Sequence, residues 1–443
     1  MLDFTHDPAA QSWVASAQLP GCDFTLQNLP LGVFVPEGRD PHPRGGIAIG
    51  DQVIDLARLA ASGLLAEPAA AACRVAADST LNAFMAMGKQ SWRALRHGAF
   101  HLLSLQADGR TQEQMRACML PLRQAVMKMP VDVRNYTDFY TSLHHAANVG
   151  RVMGRENPLT RNFQWLPIAY HGRASSVVLS GTGFRRPNGQ SATAERAAPA
   201  FGPCRRLDFE LEMGFFVGPG TQLGEPLPLA QARDRIFGMC LLNDWSARDH
   251  QFWEMDPLGP FLGKNFCTSI SPWIVSMEAL APYRVAFDRP AGDPQPLPYL
   301  QDAADRESGS LDVHLEVCLQ SRRHRAQNLP GDRLTATSFR HQYWTIAQML
   351  AQHTVGGCDL RSGDLMGTGT ISGPTQDQAG ALVELSRGGT LAVSLPGTGE
   401  TRTFLEDGDS VSIKGWCEKP GFARIGFGEC RGEVLPALDF GVA

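Results

Sequence analysis

Leu207-Asp208-Phe209-Glu210-Leu211-Glu212-Met213 alternates apolar and acidic side chains with a period of two. That is the repeat of a β-strand, in which successive side chains point to opposite faces. Glu210 and Glu212 then share one face, roughly 6.5–7 Å apart along the strand. An ordinary half-buried strand shows such a polar face to water. If the face is buried, two like charges at that spacing need a compensating cation. A second stretch, Ile236 to Leu242, is continuously apolar and runs into Asn243-Asp244-Trp245-Ser246-Ala247-Arg248-Asp249. It reads as a buried strand that delivers a polar cluster at its end. Asp244 and Arg248 are four apart, so a helical turn there would put them on one face of a site, and an ordinary turn would make them an i,i+4 ion pair.

Outward from these strands the texture is that of a sheet-rich chain. The 443 residues exceed one average domain, and 45 Gly with 30 Pro point to many turns and short strands. The expected division is 1–125 and 126–443. The first part holds β-like pieces at Leu31 to Val35 and Gly46 to Ile54, then an alanine-rich stretch and a helical pattern from Leu81 to Leu105. A further helical stretch, Thr111 to Met127, reads as a connector. From Met129 short apolar runs alternate with Gly, Pro, Asn and Asp clusters, as in an all-β or α+β assembly. Three stretches read as long irregular loops: Gly183 to Gly202, Asp288 to Gly309 and Ser321 to Asp332. The spacing of Phe339, Tyr343, Ile346, Leu350 and His353 predicts a helix capped by Thr337 or Ser338 and stopped by Gly356-Gly357. Ser410 to Val434 reads as short strands broken by Gly and Pro.

Several function classes fall away. Forty Lys+Arg against 45 Asp+Glu give a net charge of −5, which argues against a nucleic-acid or polybasic membrane surface. No stretch is long and apolar enough to span a membrane, and the acidic N-terminus lacks a secretory signal pattern, so a cytoplasmic protein is expected. The ten cysteines contain no C-x-x-C pair and read as mostly buried free thiols in a reducing compartment. Gly259-Pro-Phe-Leu-Gly263-Lys264-Asn265 is one residue short of a phosphate loop and lacks its Ser or Thr. Gly367-Thr-Gly369-Thr-Ile-Ser-Gly373 mis-spaces a dinucleotide fingerprint. Neither a serine-hydrolase elbow nor a zinc-protease motif is present.

A third cluster is Tyr136-Thr-Asp138-Phe-Tyr140, followed by His144-His145-Ala-Ala-Asn148-Val-Gly150; three of the six tyrosines lie between 136 and 170. Tyrosine hydroxyls and a histidine beside acidic residues suit a small oxygen-rich acid, although Asp138 also suits a turn and either histidine a structural role. Taken together, Tyr136–Tyr140, His145–Gly150, Tyr170-His-Gly-Arg-Ala-Ser-Ser176, Leu207–Met213, Asn243–Asp249, Pro257–Lys264 and Gly369–Pro374 resemble the fumarylacetoacetase family. The likeness is dense from about 130 to 440, and the N-terminal part agrees in size and placement.

The resemblance implies a mainly β (α+β) fold, with a small SH3-like N-terminal domain and a C-terminal mixed β-sandwich roll, working as a homodimer. It implies hydrolysis of a carbon–carbon bond in a β-diketo acid to fumarate and acetoacetate, the last step of tyrosine breakdown. Asp138, Glu210, Glu212 and Asp244 would ligate a divalent cation, Ca²⁺ and/or Mg²⁺, and a second, Mg²⁺-type site is associated with Asp244, Lys264 and Thr268. A protonated lysine cannot ligate, so Lys264 is expected to act through its backbone or from behind the ligands. His145 would be the base oriented by Glu384. Arg248, Gln251 and Lys264 would stabilise the oxyanion and the leaving carbanion. Tyr140, Tyr170, Thr370, Arg248 and Gln251 would hold substrate, as would the family's arginine, whose place in a segment one residue shorter here falls at Gly154 or Arg155, with Arg151 nearby and Arg155 the choice. Met255 departs from the family's substrate-contacting tyrosine, and Asn265 and Cys267 differ beside the Mg²⁺ region. The alternative on the same metal site is an acylpyruvate hydrolase or an oxaloacetate decarboxylase-type activity. A decarboxylase needs no water-activating base, so His145 with Glu384 favours hydrolysis.

Overall fold

The computed structural model describes residues 2–38, 40–192 and 198–441. Near the N-terminus an antiparallel sheet has the order Met119–Pro121, Gln52–Asp55, Arg44–Ile49, Leu31–Pro36, Ala125–Lys128. Gly46 to Ile54 is thus a hairpin rather than one strand. Asp55 ends it and caps the helix Leu56–Ser62, its side chain accepting from the backbone of Ala57 at 3.0 Å and Arg58 at 3.2 Å. The long helix is Lys89–Leu103, preceded by the short Asn82–Ala86. The helical reading of Thr111 to Met127 is half right. A helix spans Gly109–Ala117, but the chain then returns to supply both edge strands of the sheet. The 125/126 point falls inside the last of them.

The centre of the molecule is an eight-stranded mixed sheet. Its main path runs Ile168–Gly172, Tyr136–Tyr140, Leu365–Gly367, Leu211–Val217, Ile236–Asp244, Thr268–Ile270, Val177–Leu179, and Val275–Ser276 pairs beside Ile236–Asp244. A second sheet carries Asp332–Ser338, His314–Gln320, Ser410–Cys417, Ile425–Leu435 and Gly183–Arg185. The fold is mainly β in the α+β class. The ordinary reading of the Leu207–Met213 alternation fails, because Leu211–Val217 and Ile236–Asp244 are buried at every position. The face carrying Met213, Phe215 and Leu241 joins a core with Val317, Ile413 and Phe427 of the second sheet. The opposite face carries Phe216, Phe237, Cys240 and Leu242 into the N-terminal core beside Leu31, Phe84 and Trp92. With both faces covered there is no solvent side for an acid to use. A pair of backbone bonds joins the N-terminal sheet to the rest: Leu31 donates to Ile274 at 3.0 Å and Ile274 to Leu31 at 2.7 Å.

Other expectations are corrected by tertiary context. The helix predicted from Phe339 starts at Ile346. Thr345 caps it and Ser338 caps only a single 3₁₀ turn, Phe339–His341. Ser410 to Val434 forms two long paired strands rather than short ones. The stretch Gly183 to Gly202 holds the strand Gly183–Arg185 and a hairpin of Asn188–Ser191 with Ala200–Pro203; its residues 193–197 lie outside the described ones. Asp288 to Gly309 contains a helix, Ala303–Ser308, and Ser321 to Asp332 contains Arg322–Ala326. Seven of the ten cysteines are buried and all are free. Burial pushes the Cys267 thiol up to about 12, so it packs rather than reacts. Among the described residues no helix is long and apolar enough to cross a membrane.

The two sheets are pinned where Trp245, the residue after Asp244, lies fully buried against Phe184, with ring centroids 4.5 Å apart. Its indole N–H donates to Ser269 Oγ at 2.9 Å. A Cβ at Gly432 on the facing sheet would overlap that indole. Gly432→Ala is therefore expected to lower stability by about 1–3 kcal/mol through overpacking, read as a lower denaturant midpoint.

Candidate active site

Asp138 lies on Tyr136–Tyr140, in register with Gly367 on one side and Tyr170 on the other. Glu212 is on Leu211–Val217 and Asp244 ends Ile236–Asp244. Glu210 sits where the first strand breaks, its N–H donating to Asn243 Oδ1 at 3.0 Å. These four side chains each offer an oxygen, all within 4.8 Å of one another. They are buried, at 2%, 5%, 0% and 0% exposure for Asp138, Glu210, Glu212 and Asp244.

Buried carboxylates need donors. Lys264 Nζ donates to Asp244 Oδ2 at 2.5 Å and also to Glu210. The lysine's ammonium thus meets the cluster from behind the carboxylates, one of the two ways expected. Tyr170 donates its hydroxyl to Asp244 Oδ2 at 2.7 Å and Thr268 to Asp244 Oδ1 at 3.1 Å. The Gly369 N–H is shared between Asp138 Oδ1 at 3.2 Å and Glu212 Oε2 at 3.1 Å. The predicted Asp244–Arg248 ion pair does not form, because Asp244 is still strand and Arg248 opens the helix Arg248–Glu254. Arg248 instead donates from Nε to Asp208 Oδ2 at 2.9 Å and lies 2.8 Å from Glu210 Oε1. Its Nη1 donates to Gln251 Oε1 at 3.1 Å, which brings Gln251 to the site.

The charge balance divides the carboxylates. Burial raises Asp138 and Glu212 well above the usual range, and neighbouring carboxylates add to it. Burial would raise Glu210 too, but Arg248, Lys264 and His145 more than offset it and hold it low. Glu212 Oε1 has no hydrogen-bond partner. An orphaned buried oxygen within an all-oxygen donor set fits a hard divalent cation and does not suit a soft one.

Beside the cluster, Ser142 caps the helix Leu143–Val152, accepting from the His145 N–H at 3.3 Å. His145 is buried, its Nδ1 2.7 Å from Glu384 Oε1 and its Nε2 3.7 Å from Glu210 Oε1. Glu384 lies on a one-turn helix, Leu382–Leu385. Ser372 Oγ donates to its two oxygens at 2.9 and 3.0 Å, and Asn148 Nδ2 donates at 2.8 Å. Burial opposes the Glu384 charge, but His145 and these donors keep its carboxyl below the usual range. The geometry fixes the Nδ1 proton toward Glu384 and leaves Nε2 facing the carboxylates.

The remaining predicted residues gather unevenly. The Tyr140 ring packs edge-on to His145 with centroids 5.3 Å apart, and Thr370 is buried next to Gly369. Met255 caps the helix that bears Arg248 and Gln251. Arg155 is exposed. Burial raises the Tyr140 phenol, and Arg248 and Arg155 partly counter it. Arg151 turns to Asn148 at 2.8 Å, and His144 packs on His341 rather than on the site. Asp208 was missed by the sequence reading. It anchors Arg248 and accepts from the Leu382 and Val383 backbone at 2.7 and 3.0 Å, which ties Arg248 to the turn holding Glu384. Its signal was present, since it is the third acid in the same alternating row. Ser372 lies within the Gly369–Pro374 motif, but no sequence feature pointed to a role for it.

A mixed sheet that buries four carboxylates beside a histidine–carboxylate pair defines a metal-dependent enzyme. Residues 27–130 match the model described as fumarylacetoacetase N-terminal, and 134–435 that described as fumarylacetoacetate (FAA) hydrolase C-terminal. The fumarylacetoacetase of Homo sapiens is 47% identical over 426 residues, covering 94% of this chain and 97% of that protein. That of Caenorhabditis elegans is 48% identical over 420 residues, with the same coverage of both. Among solved structures, a fumarylacetoacetate hydrolase from psychrophilic Exiguobacterium antarcticum matches 92% of this chain and 99% of its own with a TM-score of 0.50, at 15% identity, which speaks to the fold. The chain belongs to the fumarylacetoacetase family.

Asp244 accepts from Lys264, Tyr170 and Thr268 at once. Asp244→Asn is expected to weaken divalent-cation binding and to shrink the rise in melting temperature that added divalent cation produces over chelator, read by scanning calorimetry. A trace identical to wild type would remove Asp244 from the cation shell.

Proposed function

We propose that the protein hydrolyses fumarylacetoacetate to fumarate and acetoacetate. The observation that carries this reading is the buried His145–Glu384 pair, with the free Nε2 turned toward the four-carboxylate cluster. A water between Nε2 and the substrate carbonyl would give its proton to His145, and Glu384 would stabilise the imidazolium. The cation held by Asp138, Glu210, Glu212 and Asp244, which we assign as Ca²⁺ or Mg²⁺, supplies Lewis acidity toward the oxygens of a 1,3-diketone. Arg248, Gln251 and Lys264 would donate to the oxyanion and to the departing enolate.

Tyr140, Thr370, Gln251 and Arg155 would hold the carboxylate ends of the substrate. Tyr170 is more restricted, because its proton is committed to Asp244 and it orients that ligand. A second, Mg²⁺-type site would draw on Asp244 and Thr268, with the Lys264 ammonium competing as a resident cation. The same pair favours hydrolysis over decarboxylation, since only the former consumes an activated water. We also assign a homodimer. The exposed Trp253, Phe261 and Leu262, with Phe201 packed on Phe440, supply apolar surface near the Arg248 helix for a second copy.

The test follows diketone absorbance with fumarylacetoacetate, with and without chelator. Chelator is expected to abolish turnover and added Ca²⁺ or Mg²⁺ to restore it; no loss of absorbance under any divalent cation would refute the reading. His145→Ala should lower kcat by about 10²–10⁴-fold while calcium still binds by calorimetry. Near wild-type turnover in that variant would remove His145 as the base.

A further inference from the structure

The junction of the N-terminal helices with the central sheet encloses a cavity of about 430 Å³ that plays no part in the chemistry above. Its apolar wall is Leu31, Phe84, Trp92, Ile236, Phe237 and Met277. Five cations, Lys89, Arg93, Arg96, Arg233 and Arg284, line it against three carboxylates, Asp234, Glu278 and Asp302. The acids are already engaged. Lys89 pairs with Asp234, Arg93 with Glu278 at 2.5 Å, and Asp302 caps the helix Ala303–Ser308 by accepting from Asp305 N–H at 2.8 Å.

Among the described residues this leaves Arg96, Arg233 and Arg284 without a carboxylate partner. Arg96 is buried and donates only to Thr5 Oγ1 and to the carbonyls of Gln27 and Asn28. Arg233 and Arg284 converge on one carbonyl, that of Ser308, each at 3.1 Å. Arg233 also reaches Ser308 Oγ at 3.0 Å and the Ala304 carbonyl at 2.9 Å. The nearby Asp305 turns its Oδ2 to Thr345 at 2.7 Å and leaves its buried Oδ1 without a hydrogen-bond partner, so it offsets the two guanidinium groups without pairing with either. Burial, and Arg233 beside it, push the Arg284 guanidinium down to about 10. Arg233 and Arg284 are half-buried, and two guanidinium groups drawn to one carbonyl repel each other. A planar carboxylate matches their fork geometry, and the volume and apolar wall suit a small organic body.

We propose that this cavity binds an amphipathic organic carboxylate, with its carboxylate between Arg233 and Arg284 and its apolar body against Trp92 and Phe237. Such a ligand would bridge the helix Lys89–Leu103 and the central sheet. It would therefore raise the melting temperature without touching the carboxylate cluster.

Isothermal titration calorimetry of the full chain tests this with 4-phenylbutyrate, 4-phenylbutanol and acetate as probes. The carboxylate is expected to bind one site at sub-millimolar concentration, and each of the other two about tenfold or more weakly. Binding should disappear in Arg233→Gln/Arg284→Gln and in Ala281→Trp, which fills the cavity without removing charge. It should persist in His145→Ala, and both cavity variants should keep wild-type turnover of fumarylacetoacetate. No heat with 4-phenylbutyrate, equal binding of the alcohol, or binding that survives both cavity variants would overturn the proposal.

Discussion

Four carboxylates within reach of one cation, almost wholly buried, are the constraint to which the rest of the molecule answers. Like charges at this separation repel strongly in a medium that screens poorly. The chain relieves the strain with Lys264 and Arg248 from one segment and with a backbone N–H at Gly369 from another. The donors thus come from two separate parts of the fold. That is why the sheet needs parallel as well as antiparallel pairs: Leu365–Gly367 must lie beside Tyr136–Tyr140 to bring Gly369 against Asp138. The relief is incomplete, as Glu212 Oε1 shows, and the deficit is what selects a cation.

The same logic explains the second tier of residues. Asp208 balances Arg248, and through the Leu382 and Val383 amides it fixes the turn that presents Glu384. Glu384 in turn is saturated by His145, Asn148 and Ser372. Base and cation site are therefore held by one continuous set of charge-assisted bonds. Neutralising any acid in it leaves a neighbouring charge uncompensated.

Much of this was legible from local pattern. Period two placed Glu210 and Glu212 on one face, and the apolar run ending at Asp244 located the end of a buried strand. What escaped were consequences of what lies across the sheet. The alternation looked like a water-facing strand because the sequence around 207–213 carries no sign of the N-terminal helices that cover its other side. The Asp244–Arg248 pairing failed because spacing says nothing about where strand gives way to helix. Helical periodicity from Phe339 was real burial, but Thr345, bonded to Asp305, sets the start about two turns later. The connector read into Thr111 to Met127 failed because its second half pairs with Leu31–Pro36, far upstream. The role of Ser372 was invisible because a serine in a loop has many ordinary uses.

The backbone bridge between Leu31 and Ile274 bears on the order of events at the ribosome. The N-terminal sheet and its helices are synthesised first, but the surface that closes their core, Phe237, Leu242 and Ile274 among it, emerges only after more than half the chain. A nascent chain stalled before that point carries a folded-looking segment with an open apolar wall. Pairings this distant in sequence are slow to form and expose such walls for longer. The protein's yield in a cell should therefore depend on how well that interval is shielded, as much as on the stability of the finished fold.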